Sequence, residues 1–390
     1  MSSRRRNQPA ARGRRSPMTP VLARHQPWSR QQRRRVLWPV LGLVLATICA
    51  VVVIWLAVGD LEPSTVAVAT LFALLPVVVV VGAFLWLDRW EPEPGRTLLA
   101  AFVWGAGVAT LGALLVNSLV AVTYGEFTSS VVSAPFAEEA LKGAFLVALL
   151  WRHRHELDGV VDGIVYAGLV AAGFAFVENI LYLGRAFDVA AIDGYSVFVV
   201  RGLLSPFAHP LFTVFIGIAV GIAVRRRGRV SRALLPIVGY LLAVGLHALW
   251  NASALWDDGQ GFLAVYVVVM VPMFATMIGI ALWQRRREQR IVAAVLPRFV
   301  EAGWIPWYEV DLLSTMRSRR RWTRSMRAGY GRAAARAVRA YQIAVTELAF
   351  LVTRIEHGLT DEHAGDWQAE LLDAVAETRS QAVALTSAGR

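Results

Sequence analysis

Glu138 and Glu139 stand side by side in the stretch SAPFAEEALKGAFLVALLW, followed by Lys142. Further along, Glu178 and Asn179 interrupt GFAFVENILYLG, His209 sits in SPFAHPLF, and His247 and Asn251 sit in GLHALWNAS. Glu138 and Lys142 are four residues apart, so on a helix they share a face and the ammonium partly neutralises the acidic pair. His247 and Asn251 have the same spacing, which leaves the amide to donate beside the imidazole. Glu138 and Glu139 point about 100° apart on a helix, so one can face a cavity while the other turns to a neighbour. A carboxylate in such a place can take a proton from water and return it later. Glu as base, with His and Asn as donors, would suit amide hydrolysis. The same imidazoles and carboxylates are equally plausible ligands for a zinc ion that keeps an open position. Bland readings exist for single members: Glu139 with Lys142 as a packing pair, or His209 between Pro206 and Pro210 at a helix kink. Packing alone is a poor account of the whole set.

The elements that carry these residues are apolar. Hydrophobic residues make up 56% of the 390, charged residues 17%, and mean hydropathy is +0.50; ordinary soluble domains carry about a quarter charged residues. Windows long enough to span hydrocarbon, roughly 17 to 25 residues, recur at 37–58, 65–87, 97–120, 132–151, 161–183, 202–223, 233–252 and 262–283. The first is too long for a cleaved signal and lacks a cleavage site. The fold class expected is all-α: a polytopic membrane helix bundle of about eight transmembrane helices. Residues 1–35 hold eleven Arg and no acidic residue, and the connections after spans 2, 4, 6 and 8 each carry two or more Arg, as in RRRGRVSR. Those after spans 1, 3, 5 and 7, such as TYGEFTSS and SALWDDGQG, hold a single Arg well inside them, Arg185, with Arg201 at the start of span 6. Basic loops mark the cytoplasmic side, which puts both termini in the cytoplasm of a multi-pass protein of the cell membrane. The net charge of +12 then reflects topology and attraction to anionic headgroups of the lipid bilayer, and no nucleic acid partner is expected.

Three regions follow: a disordered basic arm over 1–35, a transmembrane domain over 36–283, and a cytoplasmic helical region over 284–390. In the last, residues 335–358 and 361–385 show apolar residues at helical spacing and read as a helical hairpin without catalytic residues. Cys49 is the single cysteine, so no disulfide forms within the chain. At 1.5 Å per residue, Glu138, Glu178, Asn179, His209, His247 and Asn251 fall in one layer of the outer half, on four consecutive spans. Ionisable groups at that depth are functional candidates by default.

No soluble-hydrolase signal competes: HRHELDG fails as H-E-x-x-H, and there is no G-x-S-x-G elbow, no G-x-G-D, and no cysteine near a histidine. A proton- or ion-coupled transporter is the rival class, but it needs a route open to both sides, and the inner halves of spans 4 to 7 are almost wholly apolar. A scaffold acting through 284–390 is the third.

FAEEALKG, GFAFVENILY, HPLFT and HALWN resemble the successive motifs of the PrsW intramembrane proteases, and DRWEPEP after span 2 resembles a further one. The resemblance covers about residues 65–255. The family is distantly similar to the CAAX prenyl endopeptidases and bacteriocin-immunity proteases. It implies Glu138 as the water-activating base, Glu139 as its partner, and His247 and Asn251 at the oxyanion or in a metal site. Glu178 stands where the wider group has a histidine, so that group's metal scheme does not carry over. The resemblance also implies a membrane-anchored protein substrate, an anti-sigma factor, cut near the outer face to begin regulated proteolysis.

Overall fold

The computed structural model describes residues 31–90, 92–152, 157, 159–226, 228–256, 260–356 and 364–387. Residues 1–30 of the basic arm, Glu91 of the DRWEPEP motif and most of RHRHELDG lie outside the described residues. The chain is all-α: among the described residues there is no strand. In order come α1 (Gln31–Val58), α2 (Pro63–Leu87), α3 (Gly95–Tyr124), α4 (Ala134–Arg152), α5 (Val160–Val189), α6 (Ala191–Phe198), α7 (Ala208–Val224), α8 (Arg229–Ser253), α9 (Gln260–Glu301), α10 (Met316–Glu356) and α11 (Ala364–Ser387). Six are long and apolar enough to cross a membrane: α2, α3, α5, the run Ala191–Val224 that joins α6 and α7, α8 and α9. Helix α1 adds a shorter apolar stretch, Leu41–Leu56. Helix α4 is 19 residues long and carries Glu138, Glu139, Lys142 and Arg152. This is a multi-pass membrane protein.

Helix α5 is the hub. Its apolar window is 83% buried, and it packs on α2, α3, α4, α6 and α7. Small residues bring the backbones together, as membrane helices require when lipid supplies no hydrophobic drive. A Cβ on Gly163 would stand 2.0 Å from the Gly217 carbonyl oxygen of α7, and one on Gly173 1.9 Å from the Phe102 carbonyl oxygen of α3. Side chains on α5 and α7 are therefore held at short range.

The segment 184–196, read from sequence as an outer loop, is mostly helical: α5 runs to Val189 and α6 begins at Ala191. Aromatic packing accounts for it, because Phe187, Tyr195 and Phe198 all pack against Phe72 of α2. A π turn over Val199–Leu204 then leads to Ser205, where the helix breaks before α7. A second π turn, Thr128–Ser133, precedes α4. Such turns gather at functional sites because they re-aim the side chains that follow.

Helix α9 runs out of the apolar layer into a second core, where Val292, Leu296 and Phe299 meet Tyr341, Val345 and Leu348 of α10 and Leu371 and Val375 of α11. Trp90, just past α2, lies in the same core. Helix α10 is interrupted at Gly331 (φ 82), a conformation that only glycine adopts freely. Its first arm folds back on its second: Trp322 packs edge-on to Tyr341, and Arg319 donates to Thr346 Oγ1 at 2.6 Å. The sequence hid this first arm, because Trp322 and Met326 bury themselves between arginines.

Candidate active site

Helix α4 presents three charged side chains to the interior. Glu139 and Lys142 have no exposed surface and Glu138 has 5%. The Lys142 ammonium lies 2.9 Å from Glu139 Oε1, 3.3 Å from Glu138 Oε2 and 3.0 Å from His209 Nδ1, over the face of Phe174 at 3.9 Å. Burial of like carboxylates is tolerable only with such a cation among them. The two glutamates differ in how firmly they are held. Glu139 accepts from Thr213 at 2.8 Å, from Lys142 at 2.9 Å and from His247 Nδ1 at 3.1 Å. Glu138 has only long contacts: Asn117 Nδ2 at 3.4 Å, Lys142 at 3.3 Å and His247 Nε2 at 3.8 Å.

Each imidazole is tied at one nitrogen to a carboxylate. His247 meets Glu139 through Nδ1, and His209 meets Glu178 Oε2 through Nε2 at 2.7 Å. Carboxylates accept, so the protons belong on those nitrogens, leaving the His247 Nε2 lone pair facing inward and the His209 Nδ1 lone pair accepting from the Lys142 ammonium at 3.0 Å. Phe212 stacks on His247 and Phe174 lies against His209, keeping the rings in apolar surroundings. Glu178 is also paired with Arg201, whose Nε donates to Asn179 Oδ1 at 2.7 Å. Helices α4, α5, α7 and α8 thus bring Glu138, Glu139, Glu178, His209 and His247 into one bonded network. Asn251 stands apart from it: its amide donates to the Ser130 carbonyl at 2.8 Å, within the π turn before α4. A narrow cleft of about 20 Å³ reaches His209 past Asn179, Arg201, Ser205 and Trp250, room for about one water.

Sequence reasoning left out Arg201, Thr213, Asn117 and Ser133. Arg201 reads as an interfacial charge, and Asn117 and Ser133 as isolated polar residues; here Ser133 Oγ donates to Asn117 Oδ1 at 3.0 Å. Thr213 had a signal, since it follows His209 at i+4 and so shares its face.

The donor types suit a divalent metal, which would take the place of the Lys142 ammonium now bonded to Glu138 Oε2 and His209 Nδ1. Glu138, His209 and His247 each offer a ligand atom, all within 4.8 Å of one another. Two imidazoles and a carboxylate, with the rings backed by further carboxylates, is the chemistry of a hydrolytic zinc site.

Residues 93–296 match the family model described as PrsW family intramembrane metalloprotease. The chain belongs to this family. It is 30% identical over 198 residues to Protease PrsW of Geobacillus kaustophilus (strain HTA426), covering 48% of this chain and 80% of that protein. Protease PrsW of Bacillus subtilis (strain 168) is 32% identical over 158 residues, covering 38% of this chain and 65% of that protein. Its counterpart in Clostridioides difficile (strain 630) is 26% identical over 210 residues, covering 51% and 86%. No solved structure matches. Membership in the PrsW family makes the chain an intramembrane protease and sets the transporter reading aside. All the networked side chains fall inside the matched residues, while α10 and α11 lie beyond them.

Proposed function

We propose that this PrsW-family chain hydrolyses a peptide bond in a membrane-anchored protein, near the outer face of the cell membrane, with Glu138 as the group that activates water. The unequal holding of the two glutamates carries this reading: Glu139 is saturated by three short bonds, whereas Glu138 has capacity to accept from a new donor. Water gives a proton to Glu138 as its oxygen adds to the scissile carbonyl carbon. When the carbon–nitrogen bond breaks, Glu138 returns the proton to the leaving amine. Glu139 orients His247 and Glu178 orients His209. Asn251 acts at one remove, by holding the turn from which α4 starts. In a metal-assisted scheme Glu138, His209 and His247 would instead be the ligands of an ion, with zinc the one their types match, and Glu138 would not be the free base. Bound there, it would supply an acidified water and a polarised carbonyl. The family resemblance supports an anti-sigma factor as the substrate class, cut to begin regulated proteolysis; the distribution of Arg among the loops supports both termini of the protease in the cytoplasm.

The test compares membrane-protein fragments from cells carrying wild type or Glu138→Gln. Substrate fragments should disappear in the variant, with a rate loss of roughly 100- to 10,000-fold on the purified substrate and unchanged folding. Unchanged cleavage by Glu138→Gln would overturn the assignment of the base. Chelation should inactivate the purified protein and zinc should restore it; activity without bound metal would remove the metal and leave Glu138 in place.

A further inference from the structure

From Leu312 to Thr346 the chain carries nine arginines and no acidic residue. In the first arm of α10, Arg317, Arg320, Arg321, Arg324 and Arg327 recur at three- and four-residue spacing and are exposed. Arg319, Trp322 and Met326 fall on the opposite side of the helix and turn inward. After the break at Gly331, Arg332, Arg336 and Arg339 continue the exposed stripe, while Ala334, Ala335 and Val338 are buried. None of the eight exposed arginines takes part in an ion pair among the described residues. Soluble surfaces are best served by both signs interspersed, and this face carries one sign only.

Its place in the fold identifies what it faces. Arg319 lies over the Trp90 ring at 4.7 Å and Arg285 over the Trp86 ring at 3.8 Å. Trp86 is in the last turn of α2 and Trp90 is three residues beyond it. These contacts fix the start of α10 beneath the end of a membrane-crossing helix. Arg89, exposed in that turn, is held below its ordinary pKa by partial burial and by the charges of Arg320 and Arg339, so the three guanidinium groups are neighbours. The short-loop charge bias that sets topology acts close to the span ends; a folded helix beyond residue 315 needs no such bias.

We propose that the arginine stripe of α10, continued by Arg89, is a docking surface for the phosphate headgroups of anionic phospholipids in the adjoining leaflet. The surface has the sign, the density and the position for it, and anionic headgroups attract arginines held near the bilayer plane. The stripe lies outside the residues that match the protease family, so the inference is independent of the catalytic reading.

The experiment uses the full chain in a neutral detergent, titrated with phosphatidylglycerol or phosphatidylcholine and counted for bound lipid by native mass spectrometry. Wild type should retain phosphatidylglycerol about tenfold or more over phosphatidylcholine, and the preference should shrink at high salt. Replacing Arg317, Arg320, Arg324 and Arg339 together by Gln should remove most of that preference, and replacing them by Lys should keep it. Thermal unfolding of both variants monitors the fold, and the Lys set keeps the test decisive where the Gln set fails to fold. Equal retention of the two lipids by wild type, or full retention of phosphatidylglycerol by the folded Gln variant, overturns the proposal. So does release of phosphatidylglycerol by millimolar inorganic phosphate, which makes free phosphate the ligand. Tighter binding of a single-stranded oligonucleotide than of phosphatidylglycerol at physiological salt would also overturn it.

Discussion

Thr213, Lys142 and His247 hold Glu139 with three bonds of 2.8 to 3.1 Å, while no partner of Glu138 comes closer than 3.3 Å. Residue identity alone could not have ranked the two, because the difference lies in what α7 and α8 bring to each. Sequence did single out six polar side chains, since charge at membrane depth is conspicuous. It gave Asn251 a place beside His247, whereas the amide is spent on the Ser130 carbonyl. The Ser130 carbonyl is left over because the Ala134 N–H donates to the Ser129 carbonyl in the π turn and Pro135 has no N–H to offer; the proline is legible in the sequence, the turn register is not. Asn251→Ala should therefore cost about 1 kcal/mol of stability, the worth of a part-buried hydrogen bond, read by thermal unfolding in detergent. Cleavage should fall less than in Glu138→Gln. Asp88 offers a pH test away from the membrane interior. Burial, opposed by the Glu93 N–H and reinforced by Asp162, raises its pKa to about 7, against about 3.9 in an unfolded chain. The folded state thus binds the proton more tightly, so stability falls as pH rises through the window from about 4 to 7. Asp88→Asn should flatten that slope, gaining on the order of 2 kcal/mol over wild type near neutrality. Unfolding midpoints of the two proteins across the window check it, and parallel curves would refute it.

Among elements, the apolar windows of α2, α3, α5, α8 and α9 were plain in the sequence because their length and lack of charge leave little alternative. Two elements were not. The α6 segment contains Asp193 and Gly194 and looks like a loop until Phe72 is placed against it. The first arm of α10 carries so many arginines that its buried stripe is lost in the average. The contact between α5 and α7 was equally hidden, since a glycine gives no sign of its partner. It has a measurable consequence. A Cβ on Gly217 would lie 2.2 Å from the Gly163 carbonyl oxygen and 2.7 Å from the Ala167 Cβ. Gly217→Val should then cost about 3 kcal/mol or more and move His209 and Thr213 away from Glu178 and Glu139. Stability and cleavage should fall together. Gly279→Ala in α9, where nothing lies within 4 Å of the added carbon, should leave both unchanged.

At the scale of the molecule, loop charge gives a sidedness that labelling can read. With Cys49 replaced by Ala, a cysteine at the exposed Glu126 should react with an impermeant thiol reagent added outside intact cells, and one at the exposed Arg229 should not. The reverse pattern would place the catalytic layer near the cytoplasm and remove the proposed site of cleavage. The arrangement of the network across the chain also bears on how the protein is made. Glu138, Glu139 and Glu178 reach the ribosome exit before Arg201, His209, Thr213 and His247, the groups that later bind them. Until Arg201 emerges, Lys142 is the one cation of the finished network available to three carboxylates. The insertion machinery must therefore keep α4 and α5 out of bulk lipid while synthesis continues. Nascent chains that stall before residue 201 carry intramembrane carboxylates without the Arg201, His209 and His247 partners of the finished fold.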